Sequence, residues 1–268
     1  MSDGTDLMQR VATIITEVSA TVIEPRMFDL EDGEVHVKSP GELVTVADVE
    51  AERLLTKRLS GIFQHTPVVG EEACDANPSL LDALGGERAW LVDPLDGTSN
   101  FVAGSADWAV MVALVQHGMT ASSWIWQPSQ RRMYMAERGA GAMCDDRPLH
   151  LDATAAEASG LTGRVHTRFL DDLMNDTISR NRKHFGEVLE GRGSAGIEYP
   201  SLAEQEQDFI VWWRTLPWDH APGVLLAEEA GATVRRLDGS HYQPSQTTTG
   251  LLAAADDETW ALARLIFD

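Results

Sequence analysis

Between Asp6 and Ile23 apolar side chains return every three or four positions, at Leu7, Val11, Ile14, Val18 and Val22, which predicts a helix with one buried face. Pro25 closes it, because proline fixes its own φ and carries no N–H. A second helix is predicted from Val46 to Leu59, with Ala51, Leu55 and Leu59 turned inward and Thr45 with Asp48 as a capping box. Between the two the periodicity lapses. Phe28 to Val37 reads as irregular or hairpin-like about Asp32-Gly33, and Lys38-Ser39-Pro40-Gly41 as a turn.

The pattern then shifts to short apolar runs. Thr66 to Gly70, Ala89 to Val92, Trp108 to Gln116, Trp124 to Gln127 and Arg132 to Ala136 read as strands, the last three at meander spacing, with Gly139 and Gly141 as punctuation. Asp145-Asp146-Arg147-Pro148 breaks the pattern and divides the chain into halves, 1–146 and 147–268. The second half alternates. Helices are predicted at Arg168 to Arg182, Ser201 to Gln207, Ala221 to Ala230 (ended by Gly231) and Asp256 to Ile266. Strands are predicted at Phe209 to Trp213, at Thr233 to Leu237 before the Asp238-Gly239 turn, and at Gly250 to Ala255. This alternation predicts an α+β or α/β chain of mixed sheets with helices packed on them, without internal repeats.

The 268 residues, 43% hydrophobic, suffice for one large domain or two closely packed halves. No apolar run reaches the roughly 18 residues of a membrane span. Met1 to Asp6 is acidic and polar, unlike a secretory signal. Cys74 and Cys144 lack metal spacing and could form at most one bridge, so a reducing cytoplasm is the simplest expectation. The balance of 21 basic against 42 acidic residues, a net of −21, argues against a broad nucleic-acid-binding face. It accounts for a soluble surface, but carboxylates that converge need a cation, and hard cations prefer oxygen.

Three acidic clusters follow apolar runs: Glu71-Glu72 after Val68-Val69-Gly70, Asp93 and Asp96 after Leu91-Val92, and Asp219 after Leu216-Pro217-Trp218. Acids at strand ends are placed to meet in a cleft, where they raise one another's pKa unless a cation neutralises them. In Asp93-Pro94-Leu95-Asp96-Gly97-Thr98 a turn at Pro94 brings two carboxylates and the Leu95 carbonyl to one side, a donor set for a hard divalent ion. Gly97 lets the backbone come close to a ligand, and the N–H groups of Gly97, Thr98 and Ser99 can face an anion. Read singly, Asp-Pro and Asp-Gly are ordinary turn pairs, Glu71 a solvated strand end, Asp219 a helix cap and Asp48 a capping residue.

Together these segments resemble the inositol monophosphatase family, within the metal-dependent, lithium-sensitive sugar-phosphatase superfamily. The matching residues are Lys38 with Leu43-Val44-Thr45 and Asp48; Gly70-Glu71-Glu72; Trp90-Leu91-Val92-Asp93-Pro94-Leu95-Asp96-Gly97-Thr98-Ser99-Asn100-Phe101; and Pro217-Trp218-Asp219-His220-Ala221 leading to Glu229-Ala230-Gly231. The match spans nearly the whole chain. The resemblance implies a layered αβαβα fold and a phosphoric monoester hydrolase that uses two to three Mg2+ ions, other divalent ions being possible. It implies that Glu71, Asp93 and the Leu95 carbonyl hold the first ion, that Asp93, Asp96 and Asp219 hold the second, and that a third, weaker one lies near Glu71. Glu71, Thr98 and Asp48 would be catalytic, Thr98 being oriented by Asp48 to position the attacking water. Asp96, Gly97, Thr98, Gly193, Ser194, Ala195 and Asp219 would face the substrate. Most metal ligands then fall in 1–146, while Asp219 and the later substrate-facing residues fall in 147–268. The implied partners are a small phosphorylated substrate and a second copy of the chain in a cytoplasmic homodimer, with no membrane and no direct nucleic acid.

The chemistry agrees: two ions can activate water on one side and stabilise the leaving alkoxide on the other, giving direct in-line attack without a phosphoenzyme. The chain departs from the pattern before the Trp218-Asp219 pair, where animal-type members carry a glutamate against inositol. A tryptophan of Trp212-Trp213 stands there, with Arg214 following. Trp212, Trp213 and Trp218 are candidates for a pocket wall, with core packing expected for at least two. His220 is read as a surface or helix-start histidine rather than a base, and Pro222 as an early helical position. The expected substrate is an inositol monophosphate or similar polyol phosphate. Histidinol phosphate, fructose 1,6-bisphosphate and adenosine 3′,5′-bisphosphate are alternatives of the same chemistry. A regulatory protein that binds transcription machinery on a phosphatase fold is the alternative of another class.

Overall fold

A computed structural model describes residues 2–31, 33–39, 42–152, 157–246 and 248–268. The turn residues Asp32, Pro40 and Gly41 lie outside them. The first helix, α1 (Ser2–Val18), runs on through a wider turn at Ser19–Ile23 and a tight one at Glu24–Arg26, so Pro25 ends it as expected. Strands β1 (Val35–Ser39) and β2 (Glu42–Thr45) form an antiparallel hairpin, and Lys38 and Ser39 are strand rather than turn residues. Helix α2 (Val46–Leu59) opens on the predicted capping box: the Thr45 side chain accepts from Ala47 N, and Asp48 accepts from Thr45 N.

A seven-stranded sheet follows, in the order of the sequence. Strand β3 (Val68–Gly70) leads straight into α3 (Glu71–Ala76), so Glu71 begins a helix instead of ending a strand. It pairs in parallel with β4 (Arg88–Asp96), which leads into α4 (Thr98–Val102). The remaining strands β5 (Ala109–Gln116), β6 (Met119–Gln127), β7 (Arg132–Glu137), β8 (Gly141–Cys144) and β9 (Arg147–Leu149) form an antiparallel meander.

The second sheet is β11-β10-β12-β14-β13, made of β10 (Thr162–Val165), β11 (Glu187–Glu190), β12 (Phe209–Trp212), β13 (Thr233–Arg236) and β14 (Leu251–Ala254). The first three are mutually parallel, and β14 joins antiparallel on both sides. Helix α5 (Asp172–Asn181) is shorter than the Arg168 to Arg182 segment predicted. Helix α6 (Ala195–Ala203) replaces the helix expected at Ser201 to Gln207. Helix α7 (Pro217–Ala230) starts four residues before Ala221, so Asp219 lies in its first turn and Pro222 inside it. Helix α8 (Asp257–Arg264) closes the fold.

The layers follow from which faces are apolar. Alternate residues of β5 point opposite ways: Val110 and Val112 join Val11, Ile15, Ala51 and Leu55 of α1 and α2, whereas Ala109 and Met111 join Tyr199, Leu202, Val224 and Leu225 of α6 and α7. The other side of α6 and α7 meets Ile210, Trp212 and Leu251 of the second sheet. Val211, Leu252 and Ala254 of that sheet pack against Ile178 of α5 and Trp260 and Ala263 of α8. The order is helix pair, sheet, helix pair, sheet, helix pair. Because α7 is covered by sheets on both sides, most of its residues are buried all round and no continuous polar stripe betrays its start.

Candidate active site

The central motif does not form a free turn. It prolongs β4 past Pro94, and the pairing with β5 slips between Asp93 and Asp96. Such a bulge tolerates proline, which has no N–H to give to the ladder, and re-aims the side chains around it. Asp93 Oδ1 accepts from Leu95 N at 3.0 Å, which fixes the bend. At Gly97 the backbone turns left-handed, with φ +86°, and a Cβ there would stand 2.9 Å from the Asp107 carbonyl and 3.1 Å from Ser194 Cβ. Only glycine meets both demands.

Asp48 and Thr98 meet as the sequence requires. Thr98 Oγ1 lies 3.1 Å from Asp48 Oδ1 and 3.0 Å from the Leu95 carbonyl, and Thr45 holds Asp48 Oδ2 through N (2.8 Å) and Oγ1 (2.5 Å). Burial pushes the Asp48 carboxyl up, against these hydrogen bonds. Asp96 reaches across to the second half. Its Oδ2 accepts from Ser194 Oγ (2.5 Å) and Gly196 N (2.6 Å), and its Oδ1 from Ala195 N (3.2 Å), a carboxylate set against the start of α6.

Lys38 Nζ lies 3.1 Å from Glu71 Oε1, 2.6 Å from Glu72 Oε1 and 2.8 Å from Asp75 Oδ2. Glu52 of α2 holds the start of α3, accepting from Glu72 N (2.7 Å) and Ala73 N (2.9 Å), and so places Glu71. Glu71, Asp93, Leu95, Asp96, Gly97, Thr98, Gly193 and Asp219 all line one cavity of about 330 Å³. A second cavity of about 160 Å³ shares Asp96, Gly193, Arg168, Arg214 and Asp219 with it and is also lined by Ser194 and Ala195. Every site residue predicted from the sequence except Asp48 is therefore on these walls, and Asp48 stands directly behind Thr98.

The electrostatics are those of a crowded acid site. Burial raises the Asp93 carboxyl well above its usual range, and Glu71, Asp96 and Asp219 raise it further. Glu71 is raised the same way, Lys38 opposing. Asp219 is pushed up to about 7 by burial and by Asp96, with Arg214 opposing, and Asp96 to about 6 by burial, against its bonds to Ser194, Gly196 and Ala195. Among the described residues no three His, Cys, Asp or Glu side chains are drawn in tightly enough to enclose an ion, since Glu71 is turned to Lys38 and Asp96 to α6. The fit to a metal is chemical: four carboxylates and the Leu95 carbonyl on one wall are all hard oxygen donors, and their mutual repulsion is what a divalent cation relieves.

His220 is 1% exposed, not a surface residue. The Arg214 carbonyl can only accept, so Nε2 donates to it (3.1 Å) and Nδ1 accepts from the Tyr199 hydroxyl (3.0 Å). Burial pushes its pKa down to about 3, so it is neutral and structural. Trp212 and Trp218 are 4% and 5% exposed, as core residues are, yet all three tryptophans reach a cavity wall: Trp212 and Trp213 line the smaller cavity and Trp218 the larger. Sequence reasoning passed over His166, Arg168 and Phe169, which line the smaller cavity too. It also passed over Glu198, which meets His166. Asn100 and the Arg192–Asp107 pair were missed as well: Asn100 Nδ2 bonds the Asp107 (2.7 Å) and Arg192 (2.9 Å) carbonyls, and Arg192 grips Asp107 with two nitrogens at 2.6 and 3.0 Å. These contacts fix the loop that carries Gly193.

The family model described as the inositol monophosphatase family matches residues 4–267. An inositol-1-monophosphatase of Rhizobium meliloti is 32% identical over 222 residues, covering 79% of this chain and 78% of its own. A putative Nus factor SuhB of Neisseria meningitidis serogroup B is 26% identical over 204 residues, covering 75% and 76%. Among solved structures, the Thermotoga maritima IMPase superposes with a TM-score of 0.79 at 23% identity, over 97% of this chain and 98% of that one, a likeness of fold.

Proposed function

The chain belongs to the inositol monophosphatase family, whose members are metal-dependent phosphatases of phosphoric monoesters, and we propose that it hydrolyses an inositol monophosphate or similar small polyol phosphate with magnesium. What supports the reading is one wall on which Glu71, Asp93, Leu95, Asp96 and Asp219 meet, with Thr98 hydrogen-bonded to Asp48 beside it. Glu71, Asp93 and the Leu95 carbonyl would hold one ion, Asp93, Asp96 and Asp219 another, and a third would lie near Glu71. Bound there, the ions would supply the positive charge that activates a water and neutralises the departing alkoxide.

The protein's own groups do the rest. Thr98 Oγ1, with Asp48 as its acceptor, keeps its lone pairs free to accept from the attacking water and orients it in line. Gly97 and Thr98 bring backbone against the phosphate. Gly193, Ser194 and Ala195, steadied by Asp96, Asn100 and Arg192, meet the alcohol part. Water attacks directly, and no side chain becomes phosphorylated. The work is divided between halves 1–146 and 147–268, and we carry the homodimer forward as part of the proposal. Among the described residues no helix is long and apolar enough to cross a membrane.

The test is phosphate release from a panel of monoesters with and without magnesium. Magnesium-dependent release is expected from at least one polyol phosphate. A folded, magnesium-loaded protein that releases phosphate from none would end the enzymatic reading in favour of a regulatory one.

A further inference from the structure

We infer that His166, anchored by Glu198, is the residue with which the cleft recognises a second acidic group, a carboxylate or a second phosphate, on the alcohol part of the substrate. The inference rests on the phosphatase reading above and narrows its substrate to polyol phosphates that carry another acid.

The observations begin with the walls of the smaller cavity. Its only carboxylates are Asp96 and Asp219, both at the catalytic end. Beyond them the charged and titratable side chains on the wall are Arg168, Arg214, His166 and His220, and His220 has both ring nitrogens engaged by the Arg214 carbonyl and the Tyr199 hydroxyl. In a chain with 42 acidic and 21 basic residues, an acid-free end with two arginines inverts the average composition. A guanidinium donates hydrogen bonds and accepts none, so this end is matched to acceptors, above all anionic ones. Glu42 is the nearby counter-charge. It belongs to β2, lines the larger cavity and is paired with Arg214, whose guanidinium stacks 4.2 Å above the Phe169 ring. A ligand acid would share Arg214 with Glu42.

His166 is held by stacking, by a close backbone and by a buried carboxylate at once. One face of its ring stacks on Trp212, with centroids 5.7 Å apart and planes at 23°. Gly191 lies so close that a Cβ there would come within 2.3 Å of the ring. Nε2 stands 2.7 Å from Glu198 Oε2. Glu198 is 0% exposed, and its other oxygen accepts from Arg192 N, so the carboxylate cannot swing away. The imidazole is therefore fixed in plane and tilt, with Nε2 committed. Nδ1 is the one polar ring atom left for a ligand, and the side chain is 20% exposed on the cavity wall. An acid facing Nδ1 completes an acid–imidazole–acid row. A buried carboxylate behind a cavity-facing histidine is the arrangement that orients the ring toward a ligand.

The test compares substrates that differ in the second group. The magnesium-loaded full chain is assayed for phosphate release from glycerol 3-phosphate, 3-phosphoglycerate and fructose 1,6-bisphosphate. We expect kcat/KM for at least one of the two acidic substrates to exceed that for glycerol 3-phosphate about tenfold or more, the scale of a charge-assisted hydrogen bond. Which of the two is preferred distinguishes carboxylate from phosphate. His166→Ala and Arg214→Gln should each cut that preference about tenfold, through KM rather than kcat. Glu198→Gln, which keeps the shape and removes the charge behind the ring, should cut it by a smaller factor. Equal kcat/KM for all three substrates in the native protein would overturn the inference without touching the phosphatase reading, and needs no variant to fold. A preference that survives His166→Ala would also overturn it. Release from no substrate at all would remove the phosphatase reading and this inference with it.

Discussion

At one end of the cleft Glu71, Asp93, Asp96 and Asp219 crowd around a single wall; a few residues along the same groove, Arg168, Arg214 and His166 share their space with Phe169 and Trp213. The first end is held in part by local means and in part, at Asp96, by bonds to Ser194 and Gly196 far along the chain. The Asp93–Leu95 hydrogen bond and the Thr45–Asp48 cap form within a few residues of the groups they position, and the bulge at Pro94 is set by pairing with the neighbouring β5. The second end is assembled from three separate loops around Trp212 and is set by stacking and one long-range carboxylate. On the proposed function, the acid end serves the step common to all phosphate esters and the cationic end whatever the phosphate is attached to. Two ends that differ so much should respond differently to change.

The sharpest way to break the contrast is Asp93→Asn. It should lower kcat by about 1,000-fold or more, roughly 4 kcal/mol of transition-state stabilisation, with the circular dichroism spectrum unaltered. Retained turnover would refute the assignment of the acid end. Magnesium at about 100 times its dissociation constant should raise the unfolding free energy by about 2.7 kcal/mol, and chelation should reverse it. Thermal unfolding of Asp93→Asn should lose most of that gain. If magnesium stabilised both proteins equally, the ions would be binding elsewhere. Asp48→Asn should lower kcat by roughly 10- to 100-fold with KM nearly kept, as for an outer partner that orients an active group. The smallest effect is expected at the other end: Trp213→Ala should raise KM by about threefold, under 1 kcal/mol, with kcat unchanged. A fall in kcat there would erase the division of labour between the two ends.

The acid end was legible in the sequence because its parts are local or punctuated: Asp93 to Thr98 is contiguous, and Thr45 with Asp48 is a capping box. Its form was less legible. Strand pairing with β5 draws Pro94 into a bulged strand where the dipeptides Asp-Pro and Asp-Gly suggest a turn. Strands β10 and β11 escaped notice because Thr162 to Val165 and Glu187 to Glu190 show neither an apolar run nor a full alternation. Helix α6 was misplaced because Gly196 and Pro200 argue against a helix that burial on every side nevertheless holds. The cationic end was legible only in part: Trp212, Trp213 and Arg214 stood out before Trp218-Asp219, but His166 and Glu198 are 32 positions apart, and no pattern in the sequence joins them.

The bonds that Asp96 receives from Ser194 and Gly196 span 98 and 100 positions of chain. Closing so long a loop costs conformational entropy that short-range structure cannot repay, so contacts of this separation form late when a chain folds. As the protein leaves the ribosome, the Asp93 to Thr98 segment emerges well before its partners on α6 and before Asp219. A nascent or truncated chain thus owns most of the acids and none of the finished pocket. Activity would then be a reporter of completed folding, switching on only when the last third of the chain has docked.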